Sequence, residues 1–318
     1  MVILIKYKLN KLMSLLVIGS MALDTIETPY GKAEYILGGS ATFIATAASY
    51  FTKDIRLVGK VGYDFPTSEI EFLKSKNIDI SGLEVSKTQK TFHWHGVYHK
   101  DMNNRTSITT DLNALGDFDP IIPESFRNSE FVCLGNVDPF IQMRIINQIT
   151  KPKLLMVDTM NFWIEGKWNE LMEVLKHASV LVINDSEARQ LSKVDNLIDA
   201  AKKIFNLGPE IIIIKKGEHG AMLFTKESLF VIPAYPTEKV FDPTGAGDSF
   251  AGGFIGWLDR TKDLNIENLK IAIVFGTVIA SLTVEQFSLE GIRNLSRDDI
   301  NKRLAEFRNI TQFKEVKL

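Results

Sequence analysis

Short apolar runs recur along the chain at residues 15–18, 55–61, 131–134, 154–157, 180–183 and 211–214, each about as long as a buried strand. The runs are continuous and do not alternate with polar residues, which predicts burial on both faces of a sheet. Helical spacing of apolar residues fills the intervals, at 168–175, 186–191, 197–207 and 269–282. This alternation predicts an α/β fold, with a mainly parallel sheet covered by helices on both sides. Ligands of such sheets gather at the carboxyl ends of the strands. Asp24, Asn136, Asp138, Asp158, Asn161 and Asn184 each follow shortly after an apolar run and so belong to that edge.

One segment departs from the pattern. Residues 91–99 alternate with period two, with Phe92, Trp94 and Tyr98 on one face and His93, His95 and His99 on the other. Asn103 and Asn104 supply a turn, and Thr-rich sequence continues through Thr110. A small half-exposed sheet outside the main layers is predicted, forming a lid from roughly 22–37 and 85–112. Three histidines in register invite a metal reading. Zinc sites draw ligands from several elements, however, and no cysteine or carboxylate partner is evident here, so lid polarity or a surface for a second copy fits better.

Composition narrows the picture. At 318 residues, 45% hydrophobic and 24% charged, the chain can bury a large core. Its 37 basic and 39 acidic residues leave a net charge of −2 without blocks of one sign, so neither nucleic acid nor an anionic membrane is an expected partner. Cys133 stands alone inside an apolar run and favours a reducing compartment. Lysines at 6, 8 and 11 before the apolar stretch 12–23 imitate a signal peptide, yet residues 15–18 followed by Gly19 read as a buried strand and turn. Residues 1–12 are taken as an extension and 13–318 as one domain. No apolar run reaches the roughly 18 residues of a membrane span.

The chemistry concentrates in Asp242-Pro-Thr-Gly-Ala-Gly-Asp248, which runs directly into a segment with helical apolar spacing, 249–258. Glycines at a helix N-terminus leave N–H groups free to meet an anion, and Gly245 and Gly247 let the backbone approach closely. Asp248 is placed to take a hydroxyl proton beside those amides. The alternative is that Asp248 merely favours the first helical turn through the dipole. No Walker loop is present.

This run, followed by Ser-Phe-Ala-Gly-Gly-Phe254, resembles the C-terminal signature of the ribokinase-like (PfkB) family of carbohydrate and nucleoside kinases. The resemblance implies a three-layer α/β/α sandwich with a β lid, Asp248 as catalytic base, and an anion hole from the amides of Gly245, Ala246 and Gly247. It also implies ATP and Mg²⁺ as cofactors, with a monovalent cation as a further one, and Thr244 on the nucleotide side. Asn184-Asp-Ser-Glu187 reads on its own as a capping box. It also resembles the family's Asn-x-x-Glu motif, which implies that Asn184 and Glu187 place Mg²⁺ through water. Lys216-Gly-Glu-His-Gly220 is at least a tight turn between strands. In the family the matching turn lies along the nucleotide, which brings in Gly217, Gly220 and Lys216. Residues 275–281 and 288–291 resemble the region that closes over adenine.

At the other end, residues 19–24 and 37–40 resemble the family's substrate elements. Asp24 would accept hydrogen bonds from substrate hydroxyls, and the Gly38 and Gly39 amides would face the substrate. Many members carry an asparagine four residues after the second glycine, where this chain has Phe43. That substitution removes a polar handle and implies an apolar wall or a different pose. Asn136, Asp138, Asp158 and Asn161 could replace the lost contacts or serve as caps and turns. The expected reaction is transfer of the ATP γ-phosphoryl group to a hydroxyl of a small sugar or polyol in the cytoplasm. A nucleoside kinase is the alternative, followed by a catalytically silent sugar- or nucleotide-binding protein. A homodimer through the lid is also expected.

Overall fold

A computed structural model describes residues 14–314 and 316, so the extension 1–12 lies outside the described residues. The strands are β1 (Leu15–Ile18), β2 (Ala22–Thr28), β3 (Gly31–Gly38), β4 (Ile55–Val61), β5 (Ile78–Val85), β6 (His93–Tyr98), β7 (Arg105–Asp111), β8 (Phe131–Leu134), β9 (Leu154–Asp158), β10 (Val180–Asn184), β11 (Ile211–Lys215), β12 (Ala221–Phe224) and β13 (Leu229–Ile232). Nine of them form one sheet in the order β13-β12-β11-β10-β9-β8-β1-β4-β5. Pairing is parallel from β5 through β11, and β12 and β13 add antiparallel. All six apolar runs became strands of this sheet. β5 was not anticipated: it is the edge strand, half-exposed and mixed in polarity, so it lacks the continuous apolar signature of its neighbours.

Among the described residues, eleven α-helices cover the two faces. One face carries α1 (Ser40–Ala48), α2 (Thr67–Ser75), α8 (Ala246–Thr261), α9 (Ile266–Thr283), α10 (Glu290–Arg293) and α11 (Arg297–Thr311). The other carries α3 (Pro139–Ile146), α4 (Asn161–Gly166), α5 (Trp168–Leu175), α6 (Asp185–Ser192) and α7 (Leu197–Phe205). The strand pleat divides the core between them. Leu15, Val17, Phe131 and Cys133 face the first set, whereas Leu16, Ile18, Val132 and Leu134 face the second. Both faces of each central strand therefore leave water, which explains the unbroken apolar runs.

Two features of this packing position the site. The order in which successive strands join the sheet reverses at β1, which lies between β4 and β8, and the crevice at such a switch point is where ligands bind. The close packing of α8 on α1 depends on small residues. A Cβ on Gly252 would come within 2.4 Å of the Ile44 carbonyl oxygen, and one on Gly256 within 2.8 Å of Ala48 Cα. The start of α8 is thus held against the start of α1.

β2, β3, β6 and β7 form a separate sheet in the order β3-β2-β6-β7, within the residues expected for a lid except that β3 runs one residue further, to Gly38. Register shifts at Asp24/Ile26 and at His95/Gly96 interrupt its ladders.

Candidate active site

The loop before α8 is built around Asp242, which is fully buried. Its carboxylate accepts hydrogen bonds from the backbone N–H of Thr244 and of Ser288, each at 2.8 Å. The Ser288 hydroxyl donates to the Leu37 carbonyl oxygen, joining this loop to the root of β3. Ser288 therefore braces the loop from the segment that the sequence had associated with adenine. Gly245 turns the chain into the helix with φ 73°, in the left-handed region. Of the three amides expected to face an anion, Ala246 N–H is engaged by the Pro243 carbonyl oxygen at 3.2 Å. The N–H groups of Gly245 and Gly247 have no partner among the described residues. Asp248 follows in the first turn of α8.

Asp248 shares the carboxyl edge of the sheet with Asp158 at the end of β9, Glu187 in α6 and Lys215 at the end of β11. Burial lifts the Asp248 carboxyl to about 7, and the Asp158 charge pushes the same way; the Lys215 ammonium and the Arg105 guanidinium, from β7 of the lid, oppose them. The result suits a general base near neutral pH. Asp158 is raised chiefly by burial, against the pull of Lys215, and its Oδ1 accepts the Thr159 N–H at 2.9 Å. Glu187 rises to about 7, again mainly through burial. Cys133 lies beneath, fully buried, with its thiol pushed up by desolvation and so unreactive.

Lys215 was not among the residues singled out from the sequence. The apolar run reads as ending at Ile214, and the glycine turn brings in Gly217 and Gly220, with Lys216 behind them. The signal was a lysine directly ending a run of isoleucines, where the carboxyl edge begins. Lys216 instead leaves the sheet, its N–H bonded to the Gly220 carbonyl oxygen at 2.7 Å. Gly217 and Gly220 adopt φ of 54° and 86°, as their tight turn requires.

Asn184 and Glu187 form the expected capping box. Asn184 Oδ1 accepts the Glu187 N–H and Glu187 Oε2 accepts the Asn184 N–H, both at 2.8 Å. Glu187 Oε1 makes no hydrogen bond among the described residues, and no three His, Cys, Asp or Glu side chains among them converge closely enough to hold a metal directly. Mg²⁺, which keeps several waters, fits here through water and not as a caged ion.

At the other end, Asp24 is 4% exposed and its Oδ1 has no hydrogen-bond partner. Burial, with the charge of Asp242 next, raises its carboxyl to about 8, against a lowering effect from the Trp94 backbone N–H. A Cβ on Gly38 would meet Asp24 Oδ2 at 2.0 Å, and Gly39, at φ 92°, lies against Ser20 and Met21. These three residues do come together. Phe43 does not line the cleft as expected: it is 1% exposed, and its ring packs against Gly245. Asn136 is also committed elsewhere. Its Oδ1 accepts from Trp163 Nε1 at 2.8 Å and its Nδ2 donates to Met160 Sδ at 3.0 Å, so it braces the loop after β9. Asp138 caps α3 through the Phe140 N–H at 2.8 Å, and Asn161 opens α4.

The lid reaches both ends of this edge. Thr244 Oγ1 donates to Tyr98 Oη at 3.1 Å, so this hydroxyl is occupied by the lid. Asn103, in the β6–β7 turn, donates to Glu218 in the glycine turn at 3.4 Å. His93, His95 and His99 bond separately to Thr25, Glu27 and Thr106 at 3.1, 3.0 and 3.0 Å, so they do not converge on one ion.

Comparison with known proteins agrees with this architecture. The family described as pfkB family carbohydrate kinase matches residues 13–292. The chain is 29% identical to a cytidine kinase of Thermococcus kodakarensis, over 80% of this chain and 91% of that one. It is 35% identical to a ribokinase of Staphylococcus aureus, over 78% of this chain and 82% of the other. The crystal structure of a putative ribokinase II from E. coli in complex with ATP and Mg²⁺ shares the fold, with a TM-score of 0.76 at 18% identity, covering 93% of this chain and all of that one (100%).

Proposed function

The chain belongs to the pfkB family of carbohydrate kinases, and from that premise we propose that it transfers the γ-phosphoryl group of ATP to a hydroxyl of a small sugar or polyol, with Asp248 as general base. The observation that carries the role of Asp248 is its position in the first turn of α8, beside the unpartnered amides of Gly245 and Gly247. The acceptor oxygen forms a bond to phosphorus while the bond from that phosphorus to the bridging oxygen breaks. ADP leaves with the electron pair and Asp248 receives the hydroxyl proton. The two glycine amides and the α8 dipole stabilise the equatorial oxygens. Mg²⁺, when bound, neutralises phosphate charge, and Asn184 and Glu187 would hold it through water. Asp24 would accept from an acceptor hydroxyl, a role supported by its buried Oδ1, which has no hydrogen-bond partner among the described residues.

A nucleoside acceptor is the second reading. It is favoured by the likeness to a cytidine kinase of Thermococcus kodakarensis. A screen of sugars, polyols and nucleosides for acceptor-dependent ADP release with Mg-ATP tests both. Release with none of them sinks the transfer reading, and a preference for cytidine or inosine over free sugars selects the second.

The proposal extends to three accessory properties. The exposed aromatic rings of Tyr30 and Tyr35 on the lid support pairing with a second copy, tested by sedimentation. Family membership supports activation by a monovalent cation, tested by potassium titration. Use of ATP supports a cytoplasmic location, tested by cell fractionation.

A further inference from the structure

We infer that Lys215 is a further catalytic residue: its ammonium, lying against Gly247 at the start of α8, meets the phosphoryl group as it passes from ATP to the acceptor. This rests on the phosphoryl-transfer reading above and adds to it a cation that the signature run 242–248 does not contain.

Three observations carry it. First, Lys215 is the last residue of β11 and pairs in register with Asn184, so its backbone is fixed at the ligand-binding edge by a strand whose inner residues are fully buried. Second, a Cβ on Gly247 would lie 2.8 Å from Lys215 Nζ, which places the ammonium against the backbone of a residue whose N–H has no partner among the described residues. Third, Nζ has neither a hydrogen bond nor an ion pair within 4.0 Å among the described residues, although Asp158, Glu187 and Asp248 all act on it from a distance. A lysine serving only to neutralise one buried acid would close on that acid. This one stands between three acids and the helix start.

Charge balance gives the same answer. An incoming γ-phosphate adds negative charge to a cleft that already holds Asp158 on β9, Glu187 on α6 and Asp248 on α8. Within low-dielectric walls that repulsion is costly unless a fixed cation offsets it. The cations acting on Asp248 are Lys215 and Arg105, and Arg105 is exposed on β7. Lys215 is the one fixed in the sheet, and its surrounding acids outweigh burial and keep it charged. In the transfer step it donates to an equatorial oxygen of the phosphoryl group. It neither gains nor loses a proton, the hydroxyl proton going to Asp248.

The test begins with acceptor-dependent ADP formation by the unaltered chain; its absence would overturn the transfer reading itself, separately from Lys215. With that activity in hand, Lys215→Met is expected to lower kcat by at least about 100-fold, with the acceptor KM within about threefold. Lys215→Cys is assayed before and after aminoethylation, which rebuilds an ammonium of lysine's length; the one native cysteine, Cys133, is fully buried. A gain of at least about tenfold in kcat on aminoethylation supports the assignment, and this second arm serves also if Lys215→Met does not fold. A kcat for Lys215→Met within about threefold of the unaltered chain, or no gain on aminoethylation, overturns it.

Discussion

The ring of Phe43 packs against Gly245, so that a Cβ on that glycine would come within 2.3 Å of Phe43 Cζ. One residue belongs to α1, on the acceptor side of the chain, and the other opens the phosphoryl-transfer loop. Their contact ties the loop before α8, the proposed anion site, to the core. Phe43 is 1% exposed and offers the acceptor no surface; instead it sets the level at which the glycine backbone runs.

Gly245→Ala should therefore be damaging for two independent reasons, the left-handed φ of 73° and the Phe43 ring. A fall in kcat of at least about tenfold is expected, because a displacement on the order of 1 Å in a positioning element can cost about 10². Phe43→Leu combined with Gly245→Ala should recover only part of the loss, since the smaller side chain relieves the clash and leaves the φ strained. Steady-state kinetics of the two variants checks this, and full recovery in the double variant would show that the backbone conformation is immaterial.

Asp248→Asn keeps the shape of the first turn of α8 and removes the proton acceptor. The expected result is a kcat lower by at least about 10², with nucleotide affinity largely retained, as for loss of a general base. Turnover assays with calorimetric titration of ATP decide it, and a near-normal rate would remove Asp248 from the mechanism.

The pH profile follows from the same residue. Burial and the Asp158 charge lift Asp248 to about 7, and a base must be ionised to accept a proton. kcat/KM should accordingly rise as pH increases through about 7 and fall away on the acid side, with Glu187, also near 7, sharpening the limb. Lys215 and Arg105 lower the Asp248 value, so loss of either charge should move the limb to higher pH. A profile flat from about 5 upward would mean that the carboxyl is not desolvated in solution.

Much of this was legible in the chain itself, because the features concerned are local. Continuous apolar runs mark strands buried on two faces, and period-two alternation marks the lid strand 93–98. The run 242–248 and the capping box at Asn184 and Glu187 are contiguous in sequence. The parts that escaped depend on what lies across the fold. Phe43 reads as a pocket wall until α8 is packed on α1 through Gly252 and Gly256, which turns its ring under Gly245. Asn136 reads as a free polar group until the loop after β9 brings Trp163 and Met160 to it. Lys215 reads as one of two adjacent lysines, and only the β10–β11 register shows which of them remains in the sheet.

Asp24 ties substrate binding to stability, and the sign can be worked through. Its carboxyl is raised from 3.8 to about 8 in the folded chain, with one oxygen buried and unpartnered. Between about pH 4 and about pH 8 the folded state therefore holds a proton that the unfolded state has released, so this group makes stability fall as pH rises across that window. Asp24→Asn cannot ionise. Its thermal midpoint should exceed that of the unaltered chain at about pH 8, and the difference should shrink as pH falls toward about 4. If Asp24 meets the acceptor as proposed, the same substitution replaces a protonated carboxyl with an amide of similar shape, and the acceptor KM should rise at least about tenfold while the ATP KM changes little, an effect of the size of one lost hydrogen bond. Thermal unfolding across the pH range, together with two-substrate kinetics, tests both halves. A midpoint difference independent of pH would show that Asp24 is ionised in the folded chain, and unchanged acceptor kinetics would place the substrate elsewhere.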